Sequence, residues 1–142
     1  MKFPQHPTLQ ARQHALSEYL LILPDVSERL NALVVHAARQ TGMTEAERIP
    51  THRVEGCVSM VWIVGNYEQG LCSFRSAADS SLVAGLVGAM TELCSGLSPE
   101  DLQHLDLSWL ESAGLWNQIS PTRQRGLSAV AESIRNFAAS CH

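Results

Sequence analysis

Residues 58–75 read Val58-Ser59-Met60-Val61-Trp62-Ile63-Val64-Gly65-Asn66-Tyr67-Glu68-Gln69-Gly70-Leu71-Cys72-Ser73-Phe74-Arg75, and this stretch decides the fold class. Residues 58–64 are β-branched and aromatic, a run too short and too stiff at χ1 for a favoured helix, so they predict a strand. Residues 65–70 carry the glycine and asparagine of a turn, and residues 71–75 predict a second strand. Two strands so closely joined pair as an antiparallel hairpin. Residues 50–54 are read as a short third strand beside it.

Helix signals lie on both sides of the hairpin. Leu9, Leu16, Leu20 and Leu23 suit an N-terminal helix stopped by Pro24. Asp25 with Glu28 has the form of a capping box. Leu30, Leu33, Val34, Ala37 and Ala38 then share one face of a helix predicted to end near Thr41-Gly42. Residues 44–47 can cap one more short turn. After the hairpin, Asp79 is read as the N-cap of a helix carrying Leu82, Val83, Leu86, Val87, Met90 and Leu93. Gly85 and Gly88 inside it each cost about 1 kcal/mol against alanine, which predicts close approach of another element. Ser98-Pro99 and Ser120-Pro121 are two cap-plus-proline helix starts. The last helix places Leu127, Val130, Ala131, Ile134, Phe137 and Ala138 on one face.

The sum is an α+β domain: a small antiparallel sheet of two or three strands packed against several α-helices. It is expected to be a single domain over 1–142, with N-terminal helices over 8–42, a cysteine-containing loop and hairpin over 50–75, and C-terminal helices over 79–139. A length of 142 residues suits one core. Ten basic and 14 acidic residues give a net charge of −4, so the chain lacks the basic footprint of a nucleic-acid binder or of an anionic-membrane anchor. Residues 1–10 hold one lysine, two prolines and no apolar h-region, unlike a signal peptide. The longest apolar runs are four or five residues, far short of the roughly 20 of a membrane span. The expected location is cytoplasmic, where Cys57, Cys72, Cys94 and Cys141 remain thiols.

Chemistry points to Arg53-Val54-Glu55-Gly56-Cys57-Val58-Ser59. Gly56 can take positive φ and set Cys57 on a loop tip. Arg48, His52 and Arg53 are near enough in sequence to lower the thiol's pKa, and Glu55 acts the other way. On the residues alone, the commoner outcome is an ordinary half-buried cysteine at a strand start. Cys72 and Cys94 are read as packing residues, and Cys141 as an incidental thiol on a frayed end. A metal site from His52, Cys57 and a distant cysteine matches no familiar ligand spacing. No phosphate-binding glycine loop or G-x-S-x-G elbow is present. Arg123 near a helix start runs against the macrodipole, which leaves room for another task.

Gly56-Cys57-x-Ser59-x-Val61-Trp62-Ile63 resembles the cysteine-loop motif of SufE-type sulfur acceptor proteins. Ser98-Pro99-Glu100-Asp101-Leu102, Leu110, Gly114-Leu115 and Ile119-Ser120-Pro121-Thr122-Arg123-x-x-Gly126-Leu127 resemble that family's C-terminal stretch in order and spacing. Asp79 with Leu82-Val83-x-Gly85-Leu86 is similar to its helix after the hairpin, and Arg48 stands nine residues before Cys57 as a family arginine does. The likeness covers residues 28–138. The chain departs from the pattern at Leu30, His36-Ala37, Ser76-Ala77-Ala78 and Ala84, with the cysteine loop intact.

The resemblance implies a SufE/NifU-like fold and a sulfur-carrying Cys57, with Gly56 and Ser59 in its loop. It implies that Cys57 takes persulfide sulfur from a cysteine desulfurase of the SufS or CsdA kind. It further implies that the protein stimulates that enzyme and passes sulfur to an iron–sulfur scaffold of the SufB kind. Arg123, Asp79, Arg48 and Trp62 are the implied contact or support residues. Pyridoxal phosphate belongs to the desulfurase, and no cofactor or metal is expected on this chain, a monomer or weak homodimer. Alternatives are an iron–sulfur scaffold of NifU type, which needs three clustered cysteines, and a thiol redox protein working through Cys57.

Overall fold

A computed structural model describes residues 3–142; the expected domain bounds of 1–142 take in two residues that lie outside these. The hairpin consists of β1 (Val61–Glu68) and β2 (Leu71–Ala78), paired antiparallel from Val61 opposite Ala78 to Glu68 opposite Leu71. The turn is only Gln69-Gly70, both at positive φ (54° and 80°), as the tightest right-twisted hairpin turn requires.

Both strand boundaries therefore differ from the sequence reading. The first strand starts at Val61, because its partner Ala78 is the last residue of β2; Val58, although β-branched, is 80% exposed in a loop. It runs on through Gly65 and Tyr67 because Gly65 is a packing glycine. A Cβ there would stand 2.8 Å from the Phe137 ring. The expected third strand is absent among the described residues, and the sheet has two strands. Pro50–His52 forms a 3₁₀ turn, and pairing is limited to one bridge between Arg53 and Trp62.

The helices pack around this hairpin. α1 (Leu9–Ile22) is capped by Thr8, and α2 (Val26–Ala38) by Asp25, whose carboxylate accepts from the Glu28 amide at 2.9 Å. α2 ends at Ala38, earlier than the sequence predicts. The Arg39 and Gln40 amides turn back to the carbonyls three residues before them, which tightens and closes the last turn. α3 (Ser81–Cys94) is capped by Ser80, one residue after the expected Asp79. α3 lies between β2 and α2, and its glycines allow that approach. A Cβ on Gly85 would stand 3.0 Å from the Val34 Cα, and one on Gly88 would stand 3.2 Å from the Ala37 Cβ.

α4 (Pro99–Leu102), α5 (Ser108–Ser112) and α6 (Pro121–Ala139) complete the chain. Ser98 and Ser120 cap α4 and α6, accepting from the Asp101 and Arg123 amides at 3.2 and 3.3 Å. The main core joins α1, α3, α5 and α6 to the inner face of the hairpin, through Leu16, Met90, Trp109, Ile134 and Phe74. Trp62, Met43 and Ala77 form a smaller cluster. The Arg12 guanidinium is buried and donates to the carbonyls of His6, Leu93 and Ser95, so its charge is fully used inside the fold. No described helix is long and apolar enough to cross a membrane.

Candidate functional site

Cys57 lies in a loop held at both ends. At one end the Val54 amide donates to the Val61 carbonyl at 2.8 Å. At the other, Asp79 closes the loop twice: its carboxylate accepts from the Met60 amide at 3.2 Å, and its own amide donates to the Met60 carbonyl at 3.1 Å. Asp79 is thus a clamp on the loop rather than a helix cap. Gly56, at φ +91°, makes the bend that reverses the chain before Cys57.

The bend sets Cys57 on the loop and turns its thiol inward. Cys57 is half-buried, and its Sγ donates to the Gly126 main-chain carbonyl at 3.4 Å. It faces a cavity of about 240 Å³ between the loop, α3 and α6. Val61, Val83, Leu86, Val87, Leu127 and Val130 give the cavity an apolar wall, while Ser59, Ser120, Thr122 and Arg123 supply polar groups. Arg123 and Gly126 are three residues apart on α6 and so share one face. That spacing places an exposed guanidinium and the thiol's acceptor at the same opening. The lining includes no second cysteine.

Electrostatics also differ from the sequence reading. Burial raises the Cys57 pKa above its ordinary value, and the Arg53 charge only partly offsets this. His52 is engaged elsewhere, its Nδ1 lying 2.7 Å from the Glu47 carbonyl oxygen. The Arg48 guanidinium lies 5.8 Å from the centre of the Trp62 ring, within cation–π range. Neither Arg48 nor Trp62 lines the cavity; together they support the sheet beside the loop. Cys57, Ser59 and Arg123 meet in one place, Gly56 and Asp79 shape the loop, and Arg48 and Trp62 stand behind it.

Gly126, Thr122 and the apolar wall were not singled out as site residues. The Arg123-x-x-Gly126 spacing, one helical turn directly after a proline-marked start, is the signal that could have found them. Cys72 and Cys94 are fully buried, as packing residues are. Cys141 is not a free end: it is half-buried against the core, and its Sγ donates to the Phe137 carbonyl at 3.3 Å.

Comparison with known proteins gives three findings. A model of the SufE family, described as an Fe–S metabolism associated domain, matches residues 14–138. An uncharacterised SufE-like protein of Synechocystis sp. is 30% identical over 102 residues, which is 72% of this chain and 64% of that protein's length. The solution structure of a hypothetical protein from Thermus thermophilus matches with a TM-score of 0.68 at 23% identity, covering 94% of each chain, and this likeness concerns the fold.

Proposed function

The chain belongs to the SufE family of Fe–S metabolism associated domains, and from that premise we propose that Cys57 is a sulfur acceptor for a cysteine desulfurase. The observation that carries this reading is a single thiol seated in an apolar cavity with an arginine at its opening. A persulfide needs such a seat. It is readily attacked by other thiols, and an enclosed wall limits their access.

The transfer is a thiol exchange. The Cys57 thiolate attacks the outer sulfur of the desulfurase persulfide. The bond between that persulfide's two sulfurs breaks, and the desulfurase cysteine leaves as a thiolate. Cys57 then holds the sulfur as its own persulfide and passes it to an iron–sulfur scaffold by a second exchange of the same kind. Pyridoxal phosphate stays on the desulfurase, where it frees sulfur from L-cysteine.

The resting geometry sets two conditions on this cycle. A thiol that donates to a carbonyl is protonated, so at rest Cys57 is a poor nucleophile. Attack requires the loop to turn outward, with Val54–Val61 and Met60–Asp79 as its fixed ends. Arg123 is exposed beside the opening and is the side chain a docking desulfurase meets there.

The test mixes the protein with the desulfurase of its own source and L-cysteine. The expected result is faster alanine release and a mass gain of one sulfur atom on the Cys57 peptide. Both are lost in Cys57→Ser. An unstimulated desulfurase together with an unmodified Cys57 peptide overturns the proposal.

A further inference from the structure

A second cavity, of about 460 Å³, lies between α2, α3 and β2. Ala84, Gly88, Thr91 and Glu92 of α3 line it, while Val83, Leu86 and Val87 line the Cys57 cavity. These two sets lie on separate faces of the helix. The volume falls within the range of small-molecule sites, about 300–1,000 Å³. Towards the start of α3 the wall is apolar, through Val34, Ala37 and Ala84. Towards its end the lining is polar, through Gln40, Ser76, Thr91 and Glu92.

Glu92 sets the charge of the polar end. His36 Nε2 lies 2.6 Å from its Oε2, and Gln40 Nε2 donates to the same oxygen. Phe3 stacks on the His36 ring with centres 5.1 Å apart, so the groups that orient the carboxylate are themselves held. Oε1 makes no hydrogen bond among the described residues, and an ionised carboxylate oxygen only accepts. The hydroxyls beside it are committed in the same sense. Thr91 Oγ1 gives its proton to the Gly88 carbonyl at 3.0 Å, and Ser76 Oγ lies 3.5 Å from Thr91 Oγ1. Both oxygens keep lone pairs. Ser95 Oγ is already filled, donating to the Thr91 carbonyl at 2.7 Å and accepting from the Phe74 amide at 3.0 Å.

The positive charge that lines the cavity is already spent. Both terminal nitrogens of Arg75 donate to the Glu47 carboxylate, at 2.7 and 2.5 Å. The last turn of α3 contains no basic residue, so the negative end of its dipole adds to Glu92. The polar end therefore calls for a cationic donor.

We propose that this cavity binds a small aliphatic primary amine in its protonated form. An ammonium group has three donors and no acceptor, which suits Glu92 Oε1 and the two hydroxyl oxygens. The alkyl chain lies along Val34, Ala37 and Ala84. An anion is repelled by Glu92, and a neutral alcohol supplies one donor and no charge. The cavity shares no lining residue with that of Cys57, so it works whether or not Cys57 carries sulfur.

The experiment titrates the full-length protein with n-butylamine, 1-butanol or sodium butyrate at matched ionic strength, following backbone amide shifts by NMR. The pH is about 8, where an alkylamine is protonated and an ordinary imidazole is not. The expected result for butylamine is saturable shifts at Ala37, Ala77, Gly88 and Thr91, with a Kd on the order of 1–10 mM. Butanol and butyrate should bind about 10-fold more weakly or less tightly still. Glu92→Gln, which keeps the shape and removes the charge, should weaken butylamine by about 10-fold. Ala84→Leu, which fills the apolar end, should weaken it as well. No saturable shift, shifts centred outside the cavity, equal affinity for butanol, or unchanged butylamine affinity in folded Glu92→Gln overturns the proposal. Where Glu92→Gln does not fold, Ala84→Leu decides: parental affinity there overturns the proposal too.

Discussion

Replacing Gly126 tests whether the resting thiol is held by shape. A Cβ at this position would stand 3.4 Å from the Cys57 Sγ and 3.8 Å from the Cys57 Cα and Cβ. Alanine therefore fits at ordinary contact distance. It also removes a glycine from the interior of α6, which favours the helix by about 1 kcal/mol and raises the unfolding midpoint by about 3 °C. Valine carries two further methyl groups about 1.5 Å beyond Cβ, and these compete with the sulfur for the same space. The seated thiol is held by one hydrogen bond, worth about 1 kcal/mol net. Partial burial of a small side chain adds about another 1 kcal/mol. Eviction then raises the reactive fraction by about 30-fold. The assay is alkylation of Cys57 by iodoacetamide, resolved from Cys141 by peptide mass spectrometry. Gly126→Val should react on the order of 10- to 30-fold faster than the parent, and Gly126→Ala should react at nearly the parent rate. A folded Gly126→Val protein alkylated no faster than the parent would refute the reasoning.

Four further outcomes follow from the same structure. Asp79→Ala removes the acceptor of the Met60 amide and should cost about 1 kcal/mol, with faster hydrogen exchange at Met60; unchanged exchange there would contradict the clamp. Gly65→Ala should destabilise by about 1–3 kcal/mol, because its methyl would press on the Phe137 ring; urea unfolding checks this, and a neutral result would count against the packing account. Stability should fall as pH rises from about 9 towards about 12, since burial pushes Cys72 to about 11 and Cys94 to about 12 from the ordinary thiol value of 9.0. A raised folded pKa means the unfolded chain loses its protons first, and Cys94→Ala should flatten that fall in alkaline thermal scans. Arg123→Ala should weaken stimulation of the desulfurase without lowering the unfolding midpoint, and a titration curve identical to the parent's would remove Arg123 from the docking role.

Local chemistry made much of the fold readable. Asp25, Ser98 and Ser120 are caps because their side-chain oxygens answer amides three residues on, a relation contained within four residues of sequence. Gly85 and Gly88 signalled through their cost that another element comes close, and that element is α2. Features that depend on distant partners were misread. Val58 looks like a strand residue, but no partner reaches it. Gly65 looks like a turn residue, but Phe137, far along the chain, explains it. Asp79 looks like a cap until Met60 is placed beside it. The loop cysteine stood out in sequence, yet its inward orientation depends on Gly126, 69 residues later, which no local pattern encodes. Cys141 was read as a loose end because the core it packs against is assembled from elements distant in sequence.

The acceptor that holds Cys57 at rest is a main-chain oxygen. Every residue type offers that atom, so no single amino-acid replacement can delete it. Variation at this spot can adjust the room around the sulfur while leaving its tether in place. The resting posture of the thiol is thus inherited with the course of the α6 backbone. An engineer seeking a permanently open form must change bulk, as at Gly126, because there is no functional group to remove.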